Sequence, residues 1–348
     1  DRAVWVDDAL GEDAVCIVPL DPRAPEAPGA GRFGRELGRV LELVPAPDGT
    51  SVALTTHDGR LLLLADGEFR ELARGGDGEI HDIAFSPGSG WLAYCDPVGS
   101  GRTQVVLVRL ADGEAVPVTE GRFRDADPVF TLDGKHLAFL SLRSFDPIYD
   151  EHAFDLTFPA SWRPFLVPLG ARTPSPFGAS PDGRPASPED DKPEDPPALD
   201  PSDPGDETDQ PPAEDKKPEK ADKKPEPKKK DEGPPEVVVD VEELTARVVP
   251  IPVVEGRYRG MGAAKDCLLW YNLPVNGTLG DGRAGTDVQP DKPVLERFDL
   301  ARRKLDVIAD PVSAYAVSGD GTRLVVRDGS TLRVLRTDRS GASAPTDG

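Results

Sequence analysis

The chain has 348 residues with 63 acidic against 41 basic side chains, a formal net charge of -22, so its field repels phosphate and argues against nucleic acid or an anionic membrane as partner. Its 35 Gly and 38 Pro suit short strands joined by turns and exclude an all-helical fold. No apolar run exceeds five residues, as at Leu61 to Ala65, far short of the roughly 18 that a membrane-spanning helix needs.

The first residues, Asp1-Arg2-Ala3-Val4-Trp5, do not read as a signal peptide. Two strands follow, Ala3 to Asp7 and Ala14 to Leu20, and resemble the end of a blade begun upstream. From there a repeat organises the chain, anchored on four turns: Ala46-Pro-Asp-Gly-Thr50, Ser86-Pro-Gly-Ser-Gly90, Thr131-Leu-Asp-Gly-Lys135 and Ser318-Gly-Asp-Gly-Thr322. Asp-Gly between apolar segments is a hairpin signal because Gly accepts the positive φ of the turn. Strands precede these turns at Val40 to Val44, Ile80 to Phe85 and Ala126 to Phe130, and follow them at Val52 to Thr55, Trp91 to Tyr94, His136 to Leu140 and Leu324 to Val326. Further strands come at Gln104 to Leu110 and Glu114 to Val118. The first three turns, at Gly49, Gly88 and Gly134, are spaced by 39 and 46 residues, close to the roughly 40 to 45 of one propeller blade.

A fourth, degenerate unit has strands at Arg257 to Met261 and Asp266 to Tyr271, and three strands close the chain between Ser313 and Arg336. The expected fold is all-β: a propeller of four-stranded antiparallel blades, four of them countable as complete. The expected division is propeller over residues 1–185, an insertion over 186–235, the same propeller over 236–340, and a linker over 341–348. The insertion holds 17 acids and 9 lysines, with Leu199 as its one large aliphatic residue. Twelve acids against Lys192 fill Glu189 to Asp215, and eight lysines against three acids fill Lys216 to Lys230. Such a polyampholyte cannot bury a core and reads as a disordered loop placed between the third and fourth strands of a blade.

Chemistry-bearing patterns are sparse. There is no Gly-x-Ser-x-Gly elbow, no phosphate loop and no helical histidine pair, so no catalytic residue, cofactor or metal site is assigned. His57, His81, His136 and His152 are scattered and read as structural. Isolated Asp-Gly pairs are hairpin turns rather than calcium loops, which need several oxygen ligands in one segment. Asn276-Gly-Thr278 fits a glycosylation sequon, which carries little weight without a secretory signal. Cys16, Cys95 and Cys267 are far apart in apolar runs and read as buried free thiols. Propeller geometry nominates the leading residues of each first strand as channel lining: His81 and Asp82, Asp125 and Asp127, Arg257 and Arg259. Arg143 joins them, either as a structural tie through Asp146 or a nearby carbonyl, or as a cation at the channel mouth.

The most specific stretch runs Leu140-Ser-Leu-Arg-Ser-Phe-Asp-Pro-Ile-Tyr149, then His152-Ala-Phe-Asp-Leu-Thr-Phe158, Arg163-Pro-Phe-Leu-Val-Pro-Leu169 and Thr173-Pro-Ser-Pro-Phe-Gly178. It resembles the tricorn proteases of actinobacterial type, in which the same string leaves a propeller strand and precedes a charged, Pro-rich insertion. The resemblance is strongest over Asp125 to Gly178. It implies an arc of a seven-bladed propeller, about five to six blades of it, from a cytosolic, self-compartmentalising serine peptidase that degrades oligopeptides. That family carries PDZ-like and catalytic domains with a Ser-His-Ser-Glu constellation and assembles as a hexamer. No catalytic position of it maps onto this chain, so the expected role is a substrate channel or filter and assembly scaffold. A TolB-type interaction platform and the lid propeller of a prolyl-oligopeptidase-type enzyme are the rival readings.

The composition of the insertion makes a direct prediction. Replacing Ala186 to Pro235 with a short Gly-Ser linker leaves the melting temperature within a few degrees of that of the unaltered chain, because the segment is nearly devoid of apolar residues.

Overall fold

The computed structural model describes residues 2–21, 30–34, 36–145, 147–150, 155–158, 160–177, 234–274 and 292–338. Residues 179–233 form a separate unit that lies outside the described residues, and with it lies nearly all of the predicted insertion. Asp146, His152, the sequon at Asn276 and the 341–348 linker also lie outside.

The described chain is built of small antiparallel sheets arranged as a propeller. The first blade holds β1 (Arg2–Asp7), β2 (Ala14–Pro19) and β3 (Gly31–Phe33); the second holds β4 (Val40–Pro45), β5 (Ser51–Thr56), β6 (Arg60–Ala65) and β7 (Glu68–Arg74). In the third, β8 (His81–Phe85), β9 (Trp91–Pro97), β10 (Thr103–Arg109) and β11 (Ala115–Pro117) pair in sequence order. The fourth comprises β12 (Arg124–Phe130) and β13 (His136–Leu142), is interrupted by the separate hairpin of β14 (Ile148–Asp150) and β15 (Asp155–Thr157), and resumes with β16 (Trp162–Pro168) and β17 (Val249–Pro250). Residues 179–233 thus fall between the third and fourth strands of this blade. The fifth contains β18 (Tyr258–Ala264), β19 (Cys267–Asn272), β20 (Val294–Asp299) and β21 (Lys304–Ala309), and the sixth β22 (Ala314–Val317), β23 (Arg323–Asp328) and β24 (Thr331–Arg336).

Two expectations are corrected here. Six blades are present among the described residues, in line with the five to six expected and one short of the seven of the resembling family's ring, but they are not uniformly four-stranded, because the first and last sheets have three strands. The unit expected to be degenerate is a full blade. Its strands are separated by residues 275–291, and that gap hides the repeat spacing.

The four anchoring turns share one hydrogen-bond pattern. Gly49 N donates to Ala46 O at 2.9 Å, Ser89 N to Ser86 O at 2.9 Å, Gly134 N to Thr131 O at 2.9 Å and Gly321 N to Ser318 O at 2.8 Å. Each donor residue is left-handed, with φ of 70°, 55°, 67° and 68°, which explains three glycines of the four.

Both faces of an interior blade are buried, so its strands are apolar without interruption. Leu61 and Leu63 of β6 pack toward the third blade while Leu62 and Leu64 pack toward the first. Likewise Leu137 and Phe139 of β13 join the core shared with the third blade, and Ala138 and Leu140 the core shared with the fifth. Alternation of side chains along a strand requires this division. Five such cores join the six described blades in series. Val237 and Leu244, just after the separate unit, complete the core between the third and fourth blades, and Pro235 packs its carbonyl where a side chain on Gly88 would otherwise stand. The outward faces of the end blades are open: Val325, Leu332 and Val334 of the sixth and Trp5 and Val18 of the first are exposed. No helix among the described residues is long and apolar enough to cross a membrane.

The β5–β6 turn carries a strong local charge contact. Burial opposes ionisation of Asp58, but the Thr56 hydroxyl at 2.6 Å and the Arg60 guanidinium at 3.0 Å outweigh it and hold the carboxyl at about 2. Arg60 in turn donates to Leu37 O at 2.7 Å, tying the turn to the segment that enters the second blade. A carboxyl whose folded pKa lies below its unfolded value stabilises the fold above the unfolded value, and that contribution fades as pH falls through the folded one. Asp58→Asn is therefore expected to lower the melting temperature at neutral pH, with the difference from the unaltered chain closing as pH approaches 2, as followed by thermal melts across an acid series.

Candidate functional site

The first strands of successive blades stand side by side, β1 against β4, then β8, β12, β18 and β22, so the inner edge of the propeller is made of them. Four of these strands carry a bulge where they pair with the second strand: at Val40/Glu42, His81/Ala84, Ala126/Val129 and Arg259/Gly262. A bulge leaves backbone N–H groups without ladder partners. Here the neighbouring blade supplies the acceptor. Glu42 accepts from Asp82 N at 2.7 Å and Ile83 N at 3.0 Å, Asp82 from Asp127 N at 3.0 Å, and Asp127 from Gly260 N at 2.5 Å. Tyr315 of the sixth blade closes the series by donating to Gly260 O at 2.8 Å.

The local backbone explains which residues occur there. Asp82 and Asp127 have φ of 55° and 51° and Gly260 has 62°, and Asp is among the residues that accept this region at modest cost. At Gly260 a side chain would also strike the Tyr271 ring, 2.7 Å from the position of a Cβ. Glu42, Asp82 and Asp127 each lie seven residues before the left-handed residue of the following turn, at Gly49, Ser89 and Gly134. That spacing was available in the sequence, yet Glu42 was not singled out there.

Electrostatics at the inner edge follow from packing acids in a row. Burial, reinforced by repulsion from Asp82, raises the Asp127 carboxyl to about 6. Burial also opposes ionisation of Asp82, but the His81 imidazole, 3.0 Å from its Oδ2, and the Asp127 N–H outweigh it and hold it low. The His81 imidazole is raised by the same contact. Cys95, fully buried opposite His81, is pushed well up by burial and by the surrounding carboxylates. Among the described residues, His81, Asp82 and Cys95 form the one cluster whose donor atoms lie close enough together to hold a metal ion.

Asp125 and Arg143 form a second group. Asp125 is buried, accepts from the Ser141 hydroxyl, and lies 3.5 Å from Arg143 Nη2. Arg143 Nε donates to Ser141 Oγ at 2.7 Å, and its guanidinium sits 4.2 Å from the Phe165 ring centroid and 4.9 Å from that of Phe123. The guanidinium is thus in contact with Asp125 and an aromatic cage; its predicted partner Asp146 lies outside the described residues. The pair borders a cavity of about 230 Å³ with Glu120, Arg122 and Thr245.

Arg257 and Arg259 form the third group. Arg257 donates to Pro274 O at 2.8 Å, Arg259 lies 5.8 Å from the Tyr271 ring centroid, and both border a cavity of about 270 Å³ with Trp162 and Phe158. The seven residues nominated from sequence thus fall into three separate settings. A larger cavity of about 640 Å³, bordered by Lys265, Arg297, Arg323 and Arg336, lies between the fifth and sixth blades and was not foreseen. The three cysteines are free and buried.

Fold and inner edge define a β-propeller domain locked from blade to blade by carboxylates and interrupted inside its fourth blade. The sequence profile of the tricorn protease second beta propeller domain matches residues 1–338, and the chain belongs to that family. It is 40% identical over 338 residues to tricorn protease homolog 1 of Streptomyces coelicolor, covering 97% of this chain and 28% of that protein. It is 34% identical over 429 aligned positions to putative tricorn protease homolog 2 of the same organism, covering 98% of this chain and 34% of that protein. The fold matches the crystal structure of the tricorn protease with a TM-score of 0.71 at 19% identity, over 99% of this chain and 29% of the other. The chain therefore spans about a third or less of the relatives it matches.

Arg143→Ala is expected to cost about 1–3 kcal/mol of stability, because it strips the cation from a buried carboxylate, with a loss of midpoint in urea denaturation as the readout.

Proposed function

We propose that this segment is the substrate-guiding propeller of a tricorn-type serine peptidase, acting on oligopeptides as channel or filter and as assembly scaffold, without catalytic residues of its own. The observation that carries the reading is membership of the second-propeller family across residues 1–338, joined to an inner edge built from charged first-strand residues. The family match favours it over the TolB-type platform and the prolyl-oligopeptidase lid. In this reading PDZ-like and catalytic domains of the same cytosolic protein supply the chemistry, and six copies assemble around it.

Division of labour supports a filter. The acids of the inner edge are engaged by backbone N–H groups and hold the blades together, whereas Arg257 and Arg259 keep exposed side chains beside a cavity. Exposed cations in a strongly acidic chain can attract peptide carboxylates by steering, an effect that screening weakens.

Two outcomes follow. The isolated segment releases no fluorophore from fluorogenic oligopeptides, and turnover blocked by a serine-directed inhibitor would overturn the non-catalytic assignment. In the full-length peptidase, Arg257→Ala with Arg259→Ala lowers kcat/KM for acidic oligopeptides several-fold at low salt and little at high salt, with an unaltered melting curve; equal kinetics at both salts would remove these arginines from substrate guidance.

A further inference from the structure

His81 and Cys95 are cross-strand partners in the β8–β9 ladder. Such partners share a face of the sheet, and Cys95 packs in the core between the third and fourth blades, so imidazole and thiol project to the same side. The bulge at His81/Ala84, with Asp82 left-handed at φ 55°, turns the next side chain toward that side as well. Three different donors converge as a result: a ring nitrogen of His81, a carboxylate oxygen of Asp82 and Cys95 Sγ all lie within 4.8 Å of one another.

The contacts within the cluster are those of ligands held together by protons. His81 Nδ1 is 3.0 Å from Asp82 Oδ2, and the Cys95 thiol is within hydrogen-bonding reach of the same carboxylate and 3.5 Å from the Asp125 carbonyl oxygen. The surrounding charge is one-sided. Glu42, Asp125 and Asp127 act on the buried thiol along with Asp82, and the cations facing the group are His81 itself and Arg124. A pocket of negative charge with one nitrogen, one oxygen and one sulfur donor suits a borderline divalent ion better than magnesium or calcium, which prefer oxygen alone.

We propose that His81, Asp82 and Cys95 form a binding site for a divalent transition ion of the zinc class. Binding replaces the two proton-mediated contacts with metal–nitrogen, metal–oxygen and metal–sulfur bonds. The Sγ proton and the proton held between His81 Nδ1 and Asp82 leave to solvent, and the neutral imidazole carries its single proton on Nε2 so that the Nδ1 lone pair faces the ion. Thiolate and carboxylate then balance the two positive charges. The Asp127 N–H, 3.0 Å from Asp82 Oδ2, holds the carboxylate in place, and a hydrogen bond of this kind orients ligands in metal sites. The His81 side chain is 37% exposed and gives the ion a route in. Because Asp82 also receives the fourth blade, the ion would sit on the joint between two blades.

The test is a titration of the reduced, metal-free chain with Co²⁺. One equivalent should produce visible ligand-field absorption and a thiolate-to-cobalt charge-transfer band, both removed by Zn²⁺. The band should persist in the Cys16→Ser, Cys267→Ser double variant and vanish in Cys95→Ser, and His81→Gln, at a partly exposed position, should weaken binding about tenfold or more. Absence of the charge-transfer band from the unaltered chain at saturating Co²⁺ would overturn the proposal. So would a band lost from the double variant, or an affinity indifferent to His81→Gln, and these two variants decide the matter if Cys95→Ser fails to fold.

Discussion

Each blade reaches across to satisfy the broken ladder of the next. A bulge in a first strand frees N–H groups that would be costly to bury unpaired, on the order of 1–3 kcal/mol apiece, and a carboxylate from the preceding blade takes them up. Glu42 does this for the third blade, Asp82 for the fourth and Asp127 for the fifth. Blade-to-blade apolar packing is non-directional and would tolerate sliding; an acid aimed at one or two amides does not. The bulge, the left-handed residue and the acid therefore belong to one device, and the angular placement of neighbouring blades follows from it.

The same device concentrates charge. A row of carboxylates at the inner edge repels itself, and burial together with that repulsion raises the Asp127 carboxyl. Compensation comes in different currencies from place to place: backbone amides for Glu42, an imidazole for Asp82, and for Asp125 an arginine walled in by phenylalanines. A guanidinium spread over aromatic faces loses less on desolvation than an ammonium would, which suits Arg143 to a position between two blades.

Much of the architecture was legible in the sequence because blade strands obey two short-range rules. Left-handed turn residues favour Gly, and doubly buried strands such as Leu61 to Leu64 are apolar at every position. Elements without such marks escaped. β3 is three residues long in a Gly- and Pro-rich stretch, β17 is two residues long and pairs with β16 from across a long excursion, and the fifth blade is split by residues 275–291. The site was harder to read, because its pairs are made across strands and across blades. His81 and Cys95 are fourteen positions apart and meet only through the register of β8 on β9; Arg143 finds Asp125 eighteen positions back, through the pairing that sets Asp125 opposite Ser141.

Serial packing also shapes how this domain comes apart. Among the described residues, each interior blade is gripped through two buried faces, but the first and sixth are each gripped through one, with Trp5 and Val18 or Val325, Leu332 and Val334 facing solvent. In such a quasi-one-dimensional stack, local stability is set by the number of neighbours. Opening should begin at the two end blades and move inward, so that amide protons of β1 and β24 exchange with solvent well before those of β9, β10 and β13. Among the six described blades, the most durable are then the two that bracket Cys95 and Asp125.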